Sequence, residues 1–269
     1  MDGFFEKYGR MIVVAVAICF VLLFLTPMRN VVGSSINGFV GNFANKVGES
    51  LGTVKMPDGS ESGGKFTVPE GVKAGSILKI ERTEYIVLEQ RANNQALVMT
   101  TSSIGMRAFQ SGVRSDGQSD NTYEGSAIDN YLENNWYNSL SSTMKAAIQT
   151  TSIKQASYKT YNGPNSKYET GYEGQVYNTI SRHVFLPGVG DISKVVNLKN
   201  VGKVQAFLNG TSIWTRDSYQ GDTNGAKSLN YGFGSLNSNY VYISYGVRPT
   251  FVIDLTKVQS EVVGTTNYK

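Results

Sequence analysis

The chain contains three successive apolar runs: Ser76-Ile-Leu-Lys-Ile80, Tyr85-Ile-Val-Leu-Glu-Gln90 and Ala96-Leu-Val-Met-Thr-Thr101. Short runs rich in β-branched and aliphatic residues are typical of strands. Asn93 and Asn94 separate the last two runs, and asparagine tolerates the turn conformations that a hairpin needs. The pattern therefore predicts an antiparallel meander at the start of a folded domain.

Short helices are predicted after the meander. Ser126 caps the first helix, which presents Ile128, Leu132 and Trp136 on one face. Trp136 is therefore predicted to lie in the core. Two further short helices are predicted, one over about Ser142 to Gln149 and one that is capped by Asp191.

The rest of the domain is predicted to consist of loops and two late strands. Residues 157 to 174 are rich in Tyr, Gly, Asn and Lys without any period, which indicates a long loop. Tyr240 to Tyr245 and Phe251 to Leu255 alternate as the final strands. Few strands, two or three short helices and long loops predict an α+β fold.

An apolar run at the N-terminus predicts a membrane segment. Residues 11–28 carry no charge and lie between Arg10 and Arg29, and the run is just long enough to cross a hydrocarbon core. A retained signal anchor and a cleaved signal peptide both fit the position, and the residues after the run match a cleavage site poorly. Lys7 and Arg10 favour a single-pass protein at the cell membrane with its C-terminal domain outside.

A second apolar stripe follows the membrane segment. Its residues recur about four apart through 30–54, which predicts an amphipathic helix with glycines among them. The helix either lies on the membrane or supports self-association through residues 4–52. We divide the chain into an anchor (1–29), this helix (30–54), a flexible linker (55–68), a folded domain (69–258) and a C-terminal tail (259–269).

Composition excludes several functional classes. The 25 Lys and Arg exceed the 21 Asp and Glu only slightly, so no nucleic-acid partner is expected. The chain has one Cys and one His, which removes the usual ligands of structural metals and the usual nucleophile–base pairs. His183 is predicted to be a strand-end residue, and no carboxylate pair marks a glycosidase. We expect no enzymatic activity, no metal and no cofactor.

Five motifs follow one another in a specific order: Glu84-Tyr-Ile-Val-Leu88, Ser126-Ala-Ile-Asp-Asn-Tyr-Leu132 with Trp136-Tyr137, Val184-Phe-Leu-Pro187, Ile213-Trp-Thr-Arg-Asp217 and Gly246-Val-Arg-Pro249. In this order, residues 70 to 257 resemble a bacterial domain of unknown function that is common in Gram-positive surface and prophage proteins. Its ending is similar to C-type-lectin-like and formylglycine-generating-enzyme-like folds. The resemblance implies a C-type-lectin-like domain, and it implies that Trp214 lies in the core.

The resemblance does not imply the chemistry of formylglycine-generating enzymes or the calcium-dependent sugar binding of C-type lectins. The folded domain lacks the cysteine that formylglycine-generating enzymes use, and it lacks the calcium-binding motifs of C-type lectins. The residues after the tryptophan, Arg216-Asp217-Ser218, also depart from the Arg-Ser-Pro of the family. The resemblance therefore implies a fold and a display surface, without a metal-dependent activity.

The segment from Trp214 to Gly246 has the composition of a binding surface. It contains five Tyr, five Ser, five Gly and four Asn, a mixture that antibody loops use for contact area and adaptable hydrogen bonds. Lectin-fold proteins diversified by retroelements place variable residues here. The alternative is that these tyrosines are ordinary strand residues, half of them buried. We predict an exposed contact set at Arg216, Asp217, Tyr219, Asn224, Asn230, Tyr231, Asn237, Asn239 and Tyr240.

Two functions from different classes fit these features. The first is a membrane-anchored surface protein, an adhesin or receptor that binds an extracellular protein or glycan through residues 214–246. The second is a structural subunit of a surface filament or conjugation apparatus that polymerises through residues 4–52. An anchor, a linker and a contact segment in one chain favour the first.

Overall fold

The computed structural model describes residues 65–155, 178–219 and 223–269. The predicted membrane segment 11–28, the self-associating segment 4–52, most of the linker and the loop 157–174 lie outside these ranges and stay predictions. Within the described ranges, none of the helices has the length and apolar character needed to cross a bilayer. Residues 64–269 form a unit of their own.

The predicted meander is confirmed. Its strands are β1 (Ser76–Ile80), β2 (Thr83–Gln90) and β3 (Gln95–Thr100), paired antiparallel in sequence order. Asn93 and Asn94 adopt left-handed φ values of 59° and 60° in the turn between β2 and β3. Asparagine reaches this region more readily than most residues, so the Asn-Asn pair permits the tight reversal.

Two larger sheets and one two-stranded sheet contain the strands of the described residues. Beyond the meander these strands are β4 (Met106–Ala108), β5 (Ile148–Gln149), β6 (Thr151–Gln155), β7 (Asn178–Arg182), β8 (Ile213–Ser218), β9 (Gly225–Asn230), β10 (Ser235–Tyr240), β11 (Ser244–Gly246), β12 (Thr250–Asp254) and β13 (Ser260–Thr265). The six-stranded sheet has the order β13-β1-β2-β3-β12-β5, and the five-stranded sheet has the order β10-β9-β8-β11-β4. Strands β6 and β7 pair separately, and all neighbours are antiparallel except β8 and β11.

The helices are short. They are α1 (Ala127–Asn130), a π-helix (Tyr131–Trp136), α2 (Tyr137–Ser139), α3 (Ser142–Ala147), α4 (Val189–Ser193) and α5 (Val201–Leu208). The predicted cap of α1 is confirmed, since Ser126 Oγ accepts a hydrogen bond from the Asp129 backbone N–H at 3.2 Å. Mainly antiparallel sheets with a few short helices confirm the predicted α+β class.

Two of the predicted helices differ in detail from the structure. α3 ends at Ala147, earlier than predicted, because Ile148 pairs with Ile253 in the six-stranded sheet. Asp191 lies inside α4 and caps it by accepting a hydrogen bond from the Gly188 backbone N–H at 3.0 Å. Helix α5 was not predicted, although Asn200 caps it in the usual way by accepting from the Lys203 N–H.

Trp214 on β8 lies at the centre of an aromatic cluster in the core. Its ring is fully buried, with Phe109 at 5.7 Å and Tyr245 at 4.9 Å between ring centroids, both edge-on. The indole N–H donates to the Arg107 carbonyl at 2.9 Å, as a buried tryptophan requires. The predicted core position of Trp214 is confirmed, whereas Trp136 is half-buried and lies beside Phe251.

Two predictions near the C-terminus are corrected. The strand predicted over Tyr240 to Tyr245 is interrupted, because the chain turns after Tyr240 and β11 starts only at Ser244. Alternation of buried Val241 and exposed Tyr242 continues through this turn, which explains the wrong prediction. The predicted tail 259–269 contains β13, which pairs along the whole of β1.

Candidate ligand-binding site

The β9–β10 hairpin carries most of the predicted contact residues. Its register pairs Tyr240 with Gly225 and Ser238 with Lys227. Directly opposed residues of an antiparallel pair lie on the same side of the sheet, and successive residues alternate sides. Ser238 and Tyr240 therefore lie on one side of β10, while Asn237 and Asn239 belong to the other.

Tyr219 follows β8 and packs its ring over Gly225. A Cβ atom placed on Gly225 would come within 3.0 Å of the Tyr219 ring and within 3.2 Å of its Cβ. Asn121 supports this contact from below, since its Nδ2 donates to the carbonyls of Tyr219 and Gly225, each at 3.0 Å. The Tyr219 ring can therefore lie over β9 at this distance because residue 225 is a glycine.

A surface depression lies between Tyr219 and the end of β10. It has a volume of about 260 Å³ and is lined by Tyr219, Gly225, Ser238, Asn239 and Tyr240. We call this region, together with Lys227 and Tyr242, the tyrosine face. It combines aromatic rings with hydroxyl groups, so it can offer both apolar contact and hydrogen bonds to a ligand.

Two exposed rings form the outer wall of the tyrosine face. Tyr240 and Tyr242 stack with their centroids 5.4 Å apart and their planes within 6°. They are 51% and 64% exposed, respectively. Because each ring restricts the other, an incoming ligand meets a pre-ordered aromatic surface at a low cost in side-chain entropy.

Lys227 is the cation of the tyrosine face. Its Nζ donates to Ser238 Oγ at 2.9 Å and lies 4.8 Å from the centroid of the Tyr219 ring. Burial lowers the pKa of Lys227. The lysine therefore restrains two lining residues of the depression, Ser238 by a hydrogen bond and Tyr219 by a cation–π contact.

The predicted contact residues fall at the two ends of the hairpin. Tyr219, Asn239 and Tyr240 come together at the tyrosine face, and exposed Asn224 lies next to Gly225. Asn230 and Tyr231 lie at the opposite end, where β9 ends and the turn to β10 begins. Six strand residues separate the ends by about 17 Å, so one small ligand cannot contact both.

The two remaining asparagine positions are half-buried on the other side of β10. Asn239 Nδ2 donates to Ser228 Oγ at 2.7 Å, which holds its amide on the side of β10 that faces away from Ser238 and Tyr240. Asn237 accepts from its neighbour Ser238 N–H at 3.3 Å. Asn239 borders the depression through its position between Ser238 and Tyr240, whereas Asn237 does not line it.

The prediction that Arg216 and Asp217 are exposed is wrong. They are 6% and 4% exposed and belong to a buried charged network under β8. Arg216 Nη1 lies 2.6 Å from Asp191 Oδ2, and Asp217 Oδ2 accepts from the Val189 N–H at 2.7 Å. Both side chains therefore connect helix α4 to β8. The sequence pattern shows that these residues are charged, but it does not show that α4 supplies their partners.

Burial affects the two carboxyl groups of this network differently. It raises the pKa of Asp217 to about 6. For Asp191, burial acts in the same direction, but the charge and hydrogen bond of Arg216, the Gly188 N–H and the charge of Lys194 together outweigh it and lower the pKa. The ionised form of Asp191 is thus stabilised by its partners, whereas burial dominates at Asp217.

Sequence reasoning missed three residues of the tyrosine face: Lys227, Ser238 and Tyr242. Tyr242 is predicted to be an ordinary strand residue. A lysine in a strand pattern, such as Lys227, gives no sign that its ammonium group lies over the Tyr219 ring. Among the described residues, no group of three His, Cys, Asp or Glu side chains is placed to hold a metal ion.

Comparison with known proteins places most of the folded unit in one family. Residues 93–255 match the model of a domain of unknown function, DUF6273. This range runs from the β2–β3 turn past the end of β12 and includes the tyrosine face. No curated protein and no solved structure gives a significant match to the chain. Since the matched residues make up more than half of the chain, it belongs to the DUF6273 family.

Proposed function

We propose that this protein is a surface-displayed binding protein whose tyrosine face contacts an extracellular ligand, a protein or a glycan. The observation that carries the proposal is the exposed Tyr240–Tyr242 stack beside a depression that is lined by hydroxyl-bearing residues. Rigid aromatic area next to neutral hydrogen-bonding groups suits both peptide and sugar surfaces.

The exposure of the tyrosines favours binding over a purely structural role. Of the four tyrosines that could have been ordinary strand residues, Tyr231, Tyr240 and Tyr242 are exposed, and Tyr245 packs against Trp214. A stacked aromatic pair in water costs hydrophobic free energy that a ligand would recover on binding. The surface is therefore more costly to maintain than a polar one.

We further propose that the domain is C-type-lectin-like and is held at the cell membrane by residues 11–28. The support for the fold is that the two motifs of the ending meet, because Gly246 pairs with Ile213 next to the buried Trp214. The support for the anchor is the uncharged apolar run between Arg10 and Arg29. Single-pass insertion would place the tyrosine face outside the cell.

Binding can be tested on a printed glycan array and on a displayed peptide library. We expect the wild-type chain to bind members of one of these sets. The double variant Tyr240→Ala, Tyr242→Ala should lose at least tenfold in affinity, because tyrosine is enriched among the few interface residues whose truncation costs about 2 kcal/mol or more. The melting temperature should stay within a few degrees of wild type.

The matched control is Tyr231→Ala at the opposite end of the hairpin. It removes an exposed tyrosine about 17 Å away and should leave binding unchanged. Equal loss in both variants would place the contact elsewhere, and a large fall in melting temperature of the double variant would show that these rings stabilise the fold.

We propose that the contact segment varies between isolates, as in retroelement-diversified proteins. Sequencing the gene in related isolates should then show replacements concentrated at codons for exposed residues, such as Asn224, Tyr240 and Tyr242. Replacements at buried Trp214 or Asp217 should be absent. Silent changes spread evenly over the gene would contradict the proposal.

A further inference from the structure

The single histidine of the chain lies between a carboxylate and a hydroxyl. His183 follows β7, and its Nδ1 lies 2.6 Å from Glu133 Oε1. On the other side of the ring, Nε2 lies 3.1 Å from Thr150 Oγ1. Glu133 comes from the π-helix, Thr150 from the connection between β5 and β6, and the three residues are far apart in sequence.

Chemistry determines the direction of the hydrogen bond to Glu133, and it determines that of the bond to Thr150 when the imidazole is neutral. An ionised carboxylate can only accept, so Nδ1 must carry the proton that faces Glu133. In the neutral imidazole Nε2 is then an acceptor, and the Thr150 hydroxyl donates to it. This is the tautomer in which an imidazole can take a proton from a hydroxyl group.

Glu133 is held in place by the backbone. Its second oxygen, Oε2, accepts from the His183 N–H at 3.0 Å and from the Val184 N–H at 3.2 Å. Three hydrogen bonds to one carboxylate leave it little freedom to turn away from the imidazole. The backbone just after β7 therefore fixes the position of the Glu133 carboxylate beside the imidazole.

The imidazole plane is also restrained. The Tyr137 ring stacks on it with 4.5 Å between centroids and 10° between planes. Thr150 is exposed and His183 is about one-third exposed at its side chain. The restrained base thus has its hydroxyl partner at the surface, where a solute can reach it.

We propose that Thr150, His183 and Glu133 form a nucleophile, general base and positioning residue that hydrolyse small acyl esters. Thr150 Oγ1 attacks the ester carbonyl carbon while its proton passes to His183 Nε2. The tetrahedral intermediate collapses, the ester C–O bond breaks, and the proton on Nε2 passes to the departing alcohol. Water then attacks the acyl carbon while one of its protons passes to His183 Nε2. The bond between the acyl carbon and Thr150 Oγ1 breaks, the proton on Nε2 passes to Oγ1, and the carboxylic acid leaves.

The nucleophile limits the acyl group. A threonine carries a methyl group next to its hydroxyl, so the space around the attacking oxygen is smaller than around a serine. A short acyl chain such as acetyl is therefore favoured over a long one. Glu133 does not touch the substrate, and its role is to fix the tautomer and orientation of the imidazole.

The activity can be tested with p-nitrophenyl acetate on the full-length chain in detergent. We expect Thr150→Val, which keeps the shape and removes the hydroxyl, and His183→Gln to lower the turnover rate by about 100-fold or more. Thr150→Ser should restore it. The matched control is Thr179→Val, which changes an exposed threonine of β7 and should leave the rate unchanged.

Glu133→Gln separates positioning from a purely structural role. It should lower kcat and leave KM near the wild-type value, because the binding of the ester does not depend on the carboxylate. An unchanged kcat would remove Glu133 from the site. Melting temperatures of all variants within a few degrees of wild type would assign the losses to chemistry.

Two direct observations complete the test. Mass analysis of protein quenched during turnover should find the acetyl group on Thr150, and nitrogen NMR of the single histidine should show the proton on Nδ1. Equal rates for wild type and Thr150→Val, acetylation of other residues alone, or a proton on Nε2 would each overturn the proposal. Since the tyrosine face uses none of these residues, failure here would leave the binding function intact.

Discussion

At the scale of single residues, Asp217 shows how the fold uses charge. Its carboxyl is buried under β8 and accepts a hydrogen bond from Val189, and burial raises its pKa to about 6. The folded protein therefore holds this proton more tightly than the unfolded chain does. Asp217 stabilises the folded state fully below the ordinary carboxyl pKa of about 4, and this contribution is lost as the pH rises to about 6.

Relative to wild type, the Asp217→Asn variant should be more stable at neutral pH than it is in acid. The amide keeps an acceptor for Val189 and cannot ionise, so the free energy of unfolding of the variant should gain on wild type between about pH 4 and pH 6. Urea unfolding at several pH values measures this difference. A constant difference across that range would show that Asp217 has an ordinary pKa.

At the scale of elements, the packing of Tyr219 over β9 depends on one glycine. A methyl group at position 225 would lie 3.0 Å from the Tyr219 ring, closer than ordinary van der Waals contact. The ring would have to move, and with it one wall of the depression. Gly225 of β9 thus makes room for the Tyr219 ring that forms one wall of the tyrosine face.

Gly225→Ala should lower the free energy of unfolding by about 1–2 kcal/mol, the usual cost of overpacking, and should weaken ligand binding. The matched control is Gly264→Ala on β13, where an added methyl group meets nothing within 4 Å. That variant should change stability by less than about 0.5 kcal/mol. Chemical denaturation of both variants would decide, and equal stabilities would contradict the packing argument.

At the scale of the whole molecule, the C-terminal segment completes the fold. Strand β13 pairs along β1 at one edge of the six-stranded sheet, and Tyr268 packs edge-on against Phe207 of α5 at 5.8 Å. The Tyr268 carbonyl also accepts from the Asn197 N–H at 2.8 Å. The segment therefore joins the sheet to the region around α5.

A chain that ends at Val258 should be strongly destabilised, because it leaves β1 as an unpaired edge and uncovers Phe207. Thermal unfolding followed by circular dichroism should give a broad transition well below that of the full chain. Val262→Asp, at a half-buried position, should also lower the transition, whereas Val263→Asp, at an exposed position, should not. An unchanged unfolding temperature after truncation would show that residues 259–269 do not stabilise the fold, as expected of a tail.

Local patterns in the chain were sufficient for the meander, the Asn-Asn turn, the Ser126 cap and the buried Trp214. Each depends on neighbours within a few residues or on strong hydrophobicity, so period and residue type report it directly. The class of fold and the region of the candidate site follow from such patterns as well.

Long-range pairing decided the rest. Arg216 and Asp217 are buried because α4 supplies Asp191 and the Val189 N–H, and β13 joins the sheet because β1 offers an edge. His183 becomes more than a strand-end residue because Thr150 and Glu133 are brought to its two nitrogens. The free energy of burying a charge or orienting an imidazole depends on partners that are distant in sequence, and only the folded chain brings those partners together.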